Sequence, residues 1–463
     1  MELKLKPLEL VAISISLALS SLLNRANAVP QVPCYFIFGD SLSDNGNNNN
    51  LPTFSKVNYL PYGIDFPRGP TGRFSNGRNA QDFIVELLGF QAHQYMPPFT
   101  QSKGRNITNG VNYVSRPAGP RPRDLTHVRR KGPKRFLAPH WACLEDQTWP
   151  DHESLEDGPM DFTMSRDSNY ASGSAGILKE TGKNTGATIS FDQQIFNHKI
   201  IISELRSSMR NKSATNSLLN KCIYSIRIGN NDYINNYFMP KSYDTSRRFT
   251  PLEYAITLIQ QLSDQLKFSF SRLYLVHIQT HFSYIEITIL TFRKMQQCFI
   301  NKFLDQVTYT YQRLYDTGAR KFAVYGVEPI GCTRFAISKY GTNGSLCVDR
   351  LNKAATLFND RLRPLIDQLN NNLTDAKFTY LHPTGTAADL APFVTNSSCC
   401  IIERRGGQLC LRNSQPCGRP KRYVFWDALH PTEAWNEIVA TSAYDSDSPL
   451  QASPFNIRRL ATL

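Results

Sequence analysis

Beyond its first thirty residues the chain has no apolar run long enough to cross a bilayer; the nearest, around Ile285 to Leu290, is far too short. It has no Walker loop, no dinucleotide-binding glycine turn and no H-E-x-x-H helix, so no cofactor or metal is expected. Zinc fingers and RNP-like strands are missing too, and the formal charge of +14 has no nucleic-acid module to explain it. Attraction to an acidic polysaccharide or another anionic surface accounts for such a charge without implying any chemistry. The usual nucleophile elbow, G-x-S-x-G, is also absent.

What is present begins with MELKLKP, which is basic, followed by the apolar LELVAISISLALSSLL and an A-x-A pattern at Ala26-Asn27-Ala28. This order predicts a secretory signal peptide over residues 1–28. A membrane anchor is the alternative, but Glu9 interrupts the run and shortens it. Cleavage leaves about 435 residues, ample for a large core. A secreted, extracellular location (cell wall or apoplast) permits disulfides among the ten cysteines. It also suits five glycosylation sequons, at Asn106, Asn211, Asn343, Asn372 and Asn396.

Short strands alternate with helices. YFIF at 35–38 reads as a buried strand, CIYSIRIGNND at 222–232 as a second strand and turn, and KFAVYGVEPIGC at 321–332 as a third. Helical spacing marks 80–88, 251–266, 351–370 and 431–441. The pattern predicts an α/β fold with a mainly parallel sheet, its polar groups gathered at the carboxyl ends of the strands. A single domain over 29–445 and a C-terminal tail over 446–463 complete the expected organisation.

Two segments break this grammar. Residues 114 to about 168 are basic, then acidic, with little periodicity; their flanks, GVNY and NYASG, join into one compact turn when they are removed. Residues 268–312 place aromatic, threonine-rich sequence between helix-like flanks. One or both are expected to be foreign to the working protein, as in untranslated-type sequence kept in a gene model. Genuine surface insertions are the alternative.

Chemistry centres on Ser41, in G-D-S-L just after the first strand. A hydroxyl is a weak nucleophile unless a base takes its proton, and alone Ser41 reads equally as a turn or cap residue. YVFWDALHPTEAWNE places Asp427 and His430 three apart before a helix, so the carboxylate can orient the imidazole while its other nitrogen faces Ser41. A helix-entry turn is the plainer reading. His93, His198 and His382 lack a nearby acid in a comparable setting. For the oxyanion, the candidate donors are the side-chain amide of Asn231 and the backbone N–H groups of Gly173 and Ser41. Asp232 is a possible helix cap. Asn45 to Asn50 reads as a solvent-facing loop near the entrance.

In combination the motifs FIFGDSLSDNGNNN, GRFSNG, NYASGSAGI, IGNNDYINNYF, LYDTGARKFAVYGVEPIGC and FWDALHPTEAWN resemble the plant GDSL esterase/lipase family of the SGNH hydrolase superfamily. The resemblance covers nearly everything outside the two odd segments. It implies a three-layer α/β/α sandwich similar to flavodoxin, a nucleophile at Ser41, an acid and base at Asp427 and His430, and oxyanion donors at Gly173 and Asn231. It implies no cofactor and an acyl ester or lipid substrate. Rival readings are a cell-wall carbohydrate O-acetyl esterase and an extracellular binding protein whose site the insertions impair. Glu328 departs from the family, which usually has a small residue there. Removing the segments also removes Cys143 and Cys298 and leaves eight cysteines. Cys332 with Cys347 and the group Cys399, Cys400, Cys410, Cys417 read as disulfides of unassigned connectivity, zinc being the alternative for the latter group.

Overall fold

The computed structural model describes residues 29–90, 95–99, 168–266, 314–403 and 407–463. The expected signal peptide, Asn106, His93, Cys143, Cys298 and nearly all of the two anomalous segments lie outside the described residues.

In chain order the principal elements are β1 (Tyr35–Gly39), α1 (Ala80–Leu87), β2 (Ser168–Asn169), α2 (Phe191–Met209), β3 (Ile223–Arg227), α3 (Pro251–Leu266), β4 (Lys321–Tyr325), α4 (Asp349–Asn372), β5 (Lys377–Leu381), β6 (Val394–Ser398), β7 (Tyr423–Phe425), α5 (Glu433–Asp445), β8 (Ala452–Ser453) and α6 (Ile457–Thr462). The main sheet has the order β2-β1-β3-β4-β5-β8. All of its pairs are parallel except β5 with β8. β6 and β7 form a small second sheet.

Every residue of β1 is buried, as a strand covered on both faces requires. Its side chains alternate. Phe36 and Phe38 join Tyr224, Phe322 and Phe378 in the core under α2, α3 and α4. Tyr35 and Ile37 join Ala323 and Tyr325 in the core under α1, α5 and α6. The two cores make the molecule a sheet between two helical layers, the flavodoxin-like sandwich the resemblance implies. The strand order reverses at β1, which has β2 on one side and β3 on the other, and in such sheets the crevice beyond the carboxyl ends at that point is where ligands bind.

Residues 446–463 are not a loose tail. β8 extends the sheet, and α6 buries Ile457, Leu460 and Ala461; two residues of strand carry too little pattern to announce themselves. At the far end of the first anomalous segment, Ser168 pairs with Phe36. At the second, the N–H of Leu314 donates to the carbonyl of Gln265 at 3.2 Å. With 268–312 excised, Leu314 is the fourth residue after Gln265, and this bond has the i→i−4 spacing of an α-helix.

Four disulfides are formed: Cys34–Cys222, Cys332–Cys347, Cys399–Cys417 and Cys400–Cys410. The first ties the entrances of β1 and β3, and the last two clasp the region around β6. Among the described residues no group of side chains is suited to a metal ion, so the zinc alternative for these cysteines falls.

On neighbouring strands, the rings of Phe322 and Phe378 stack with centroids 4.3 Å apart at the centre of the larger core. Phe322→Ala is expected to destabilise the fold by about 3–5 kcal/mol in urea unfolding.

Candidate active site

The turn after β1 and the loop before α5 meet at the carboxyl end of the sheet. There His430 Nε2 lies 2.8 Å from Ser41 Oγ. On the other side of the ring, Nδ1 lies 2.8 Å from Asp427 Oδ2 and 3.0 Å from Oδ1. Asp427 is fully buried, while Ser41 and His430 retain slight exposure to a cavity of about 590 Å³.

Each partner is held by its backbone. Gly39 and Asp40 run against the end of β3, where a Cβ on Gly39 would come within 2.5 Å of the Arg227 carbonyl. Asp40 caps the serine turn by accepting the N–H of Leu42 at 3.0 Å. On the other loop, Asp427 Oδ1 accepts the N–H groups of Leu429 and His430 at 2.8 and 2.7 Å. The bonds Trp426 N–H to His430 O and Thr432 N–H to Val424 O close that turn, and Phe74 packs its ring 4.7 Å from the imidazole. The next residue, Thr432, caps α5 by accepting the N–H of Trp435, so the helix begins two residues later than Pro431 suggests.

Asn231 also faces the cavity. Its Oδ1 accepts from Asn235 at 2.7 Å and its Nδ2 donates to the Ala175 carbonyl at 3.1 Å. A carbonyl only accepts, so this pair fixes which end of the amide is nitrogen and leaves its second N–H for another partner.

Gly173, the expected oxyanion donor, is held by a buried carboxylate. Its N–H donates to Asp44 Oδ2 at 3.0 Å, and the residue is not part of the cavity wall. Asp44 is buried and gathers the N–H groups of Gly46 and Asn47 as well, since a carboxylate removed from water needs several donors. The residue that does line the cavity is the next one, Ser174, whose backbone is left-handed at φ 64. A glycine is the obvious candidate for a close approach, and sequence reasoning passed over the serine beside it.

The asparagine run requires a correction. Asn45, Asn47 and Asn48 are buried. Asn47 Nδ2 donates to the carbonyls of Asn169 and Ala171, and Asn48 Nδ2 to those of Ser55 and Gly173. Irregular buried backbone leaves carbonyls without partners, and short amide side chains supply the donors. Asp232 grips the same loop further on, accepting Ile177 N–H, Leu178 N–H and the Thr181 hydroxyl rather than capping a helix. His198 is a core residue packed on Phe36 and Phe38, with burial pulling its pKa down to about 3. Glu328 pairs with the buried Arg227 at 2.5 Å, which supplies a partner for the acid that departs from the family pattern.

A family model, GDSL-like Lipase/Acylhydrolase, matches residues 35–442. The chain belongs to this family. A GDSL esterase/lipase of Arabidopsis thaliana is 38% identical over 447 residues, 95% of this chain and 94% of its own. A second from that plant is 34% identical over 451 residues, covering 96% of both chains. A third is 34% identical over 456 residues, covering 97% of this chain and 98% of its own. This family member is a carboxylic ester hydrolase. Among the described residues no helix is long and apolar enough to cross a membrane.

The buried carboxylates around the site make stability depend on pH. Burial raises Asp40 and Asp44 to about 6 and Asp232 to about 7, from an ordinary 3.8. The folded chain keeps these protons where the unfolded chain has released them, so their contribution is complete below 3.8 and is lost as pH rises through the folded values. The melting temperature of this hydrolase is expected to fall between about pH 4 and about pH 7, and Asp232→Asn to flatten that fall. An unchanged slope in the variant would remove Asp232 from the account.

Proposed function

We propose that this chain is a secreted serine esterase or lipase that hydrolyses carboxylic esters of lipids or small acyl esters through an acyl-enzyme. The observation that carries the reading is the 2.8 Å approach of His430 Nε2 to Ser41 Oγ at the floor of the cavity, with Asp427 behind the ring. His430 takes the proton of Ser41 as Oγ attacks the ester carbonyl, then delivers it to the leaving alcohol. Water, deprotonated by the same imidazole, attacks the acyl-enzyme and frees the acid. Asp427 holds the ring and stabilises the imidazolium. The Asn231 amide and the backbone N–H groups of Ser41 and Ser174 receive the oxyanion, since the N–H of Gly173 is committed to Asp44.

Polar groups such as Thr53, Ser55, Asn235 and Gln408 in the cavity wall favour short acyl groups over long chains. Lys56 and Arg412 in that wall favour a second reading, an acetyl ester on an acidic cell-wall polysaccharide. Export is supported by residues 1–28, by the four disulfides and by the exposure of Asn211, Asn343, Asn372 and Asn396, the proposed glycan sites. The segment 268–312 is dispensable in this reading, because the chain on either side of it already has helical hydrogen-bond spacing.

Ser41→Ala is expected to abolish hydrolysis of a short-chain aryl ester without changing the circular dichroism. Asn231→Ala is expected to lower kcat by roughly 100- to 1,000-fold. Undiminished turnover in Ser41→Ala rules the mechanism out. Comparing acetate released from acetylated xylan or pectin with acid released from triacylglycerol separates the two substrate readings.

A further inference from the structure

Tyr62 lies in the loop after the asparagine run and has no place in the mechanism above. Its ring is fully buried, packed edge-on to Tyr59 at 5.3 Å and to Phe74 at 6.4 Å. Its hydroxyl is 2.6 Å from Asp427 Oδ2. From the opposite side the backbone N–H of Cys410 donates to that hydroxyl at 3.0 Å. The N–H can only donate and the carboxylate can only accept, so the phenolic oxygen accepts from Cys410 and its hydrogen is aimed at Asp427. Cys410 is itself fixed through its disulfide to Cys400, whose N–H donates to the Trp426 carbonyl next to Asp427.

We propose that Tyr62 is a positioning residue for the reaction: its hydroxyl fixes the Asp427 carboxylate and sets how strongly that carboxylate draws the proton of His430. Asp427 thereby accepts from Leu429, His430 and Tyr62 at once, with Tyr62 the only one of the three outside its own turn. Without the phenolic donor, Oδ2 keeps more of its charge for the imidazolium. The protonated ring is then favoured, and the base form needed for attack on the ester appears only at higher pH. The other charged or titratable groups facing the pair are Asp40 from the β1 turn, Lys56 and Tyr59 from the segment before Tyr62, and Glu403 and Arg412 from the loop bearing Cys410. None of them is altered by removing one hydroxyl, so their effects are common to both proteins.

The proposal rests on Ser41, His430 and Asp427 performing the hydrolysis. The test is a double-mutant cycle on the full chain with a p-nitrophenyl ester, comparing wild type, Tyr62→Phe, Asp427→Ala and the double variant. Tyr62→Phe is expected to lower kcat roughly tenfold with KM unchanged and to move the acidic limb of kcat/KM to higher pH. In the Asp427→Ala background the same change is expected to have no further effect. An equal loss in both backgrounds, or an unmoved acidic limb, overturns the proposal and reduces Tyr62 to a packing residue. Because Tyr62→Phe also strands the Cys410 N–H, a second arm replaces Tyr62 by 3-fluorotyrosine, a stronger donor with the same contacts. There the limb is expected to move to lower pH, and a fixed limb again overturns the proposal. If Asp427→Ala alone leaves kcat intact, the mechanism has failed rather than the role of Tyr62.

Discussion

The site depends on one contact between distant parts of the chain: the imidazole of His430 against the hydroxyl of Ser41, 389 residues away in sequence. Neither residue is on a strand or in a helix. Each sits in a turn at the carboxyl edge of the sheet, so the approach depends on how firmly two irregular loops are held. Most of the unusual chemistry of the molecule serves that purpose. Asparagine side chains replace missing backbone donors beneath the serine turn, and Asp40, Asp44 and Asp232 gather N–H groups that have no strand to bond to. Burying three such carboxylates opposes folding as the pH rises. Their hydrogen bonds offset part of that cost and fix the cavity wall.

The two residues of this contact were legible in the sequence for a physical reason. An apolar strand that ends in G-D-S, and a D-x-x-H turn shortly before a helix, each leave a polar side chain at an element boundary. Strands β1, β3 and β4 were readable from their β-branched and aromatic runs, and α3 from Pro251 and its apolar spacing. β2 and β8, two residues each, were not, because pairing in the folded sheet defines them and no local period does. α2 was missed because its sequence, FDQQIFNHKIIISELRSSM, mixes polar residues into its buried face, including Gln194, Asn197 and His198. The asparagine run misled for a plain reason. Residue type suggests what backbone a position can adopt, but not which buried carboxylate or carbonyl claims its N–H or side chain.

The loop from Asn169 to Ile177, which follows the first anomalous segment, supplies Ser174 to the cavity wall. That loop is anchored to β1 through the Ser168 pairing and the Tyr170 N–H to Ile37 carbonyl bond. It is anchored further on through Asp44 and Asp232. These anchors close on residues 36 to 44 and 232 and fix the loop that carries Ser174. The disulfide pair Cys399–Cys417 and Cys400–Cys410 gives the histidine loop an equally local support.

The most direct measurement is reaction of the purified protein with a fluorophosphonate, followed by peptide mass spectrometry to locate the adduct. The account predicts a single adduct on Ser41, lost when His430 is replaced by alanine in a protein that keeps its melting temperature. An adduct at another serine, or labelling of Ser41 that does not depend on His430, would contradict it.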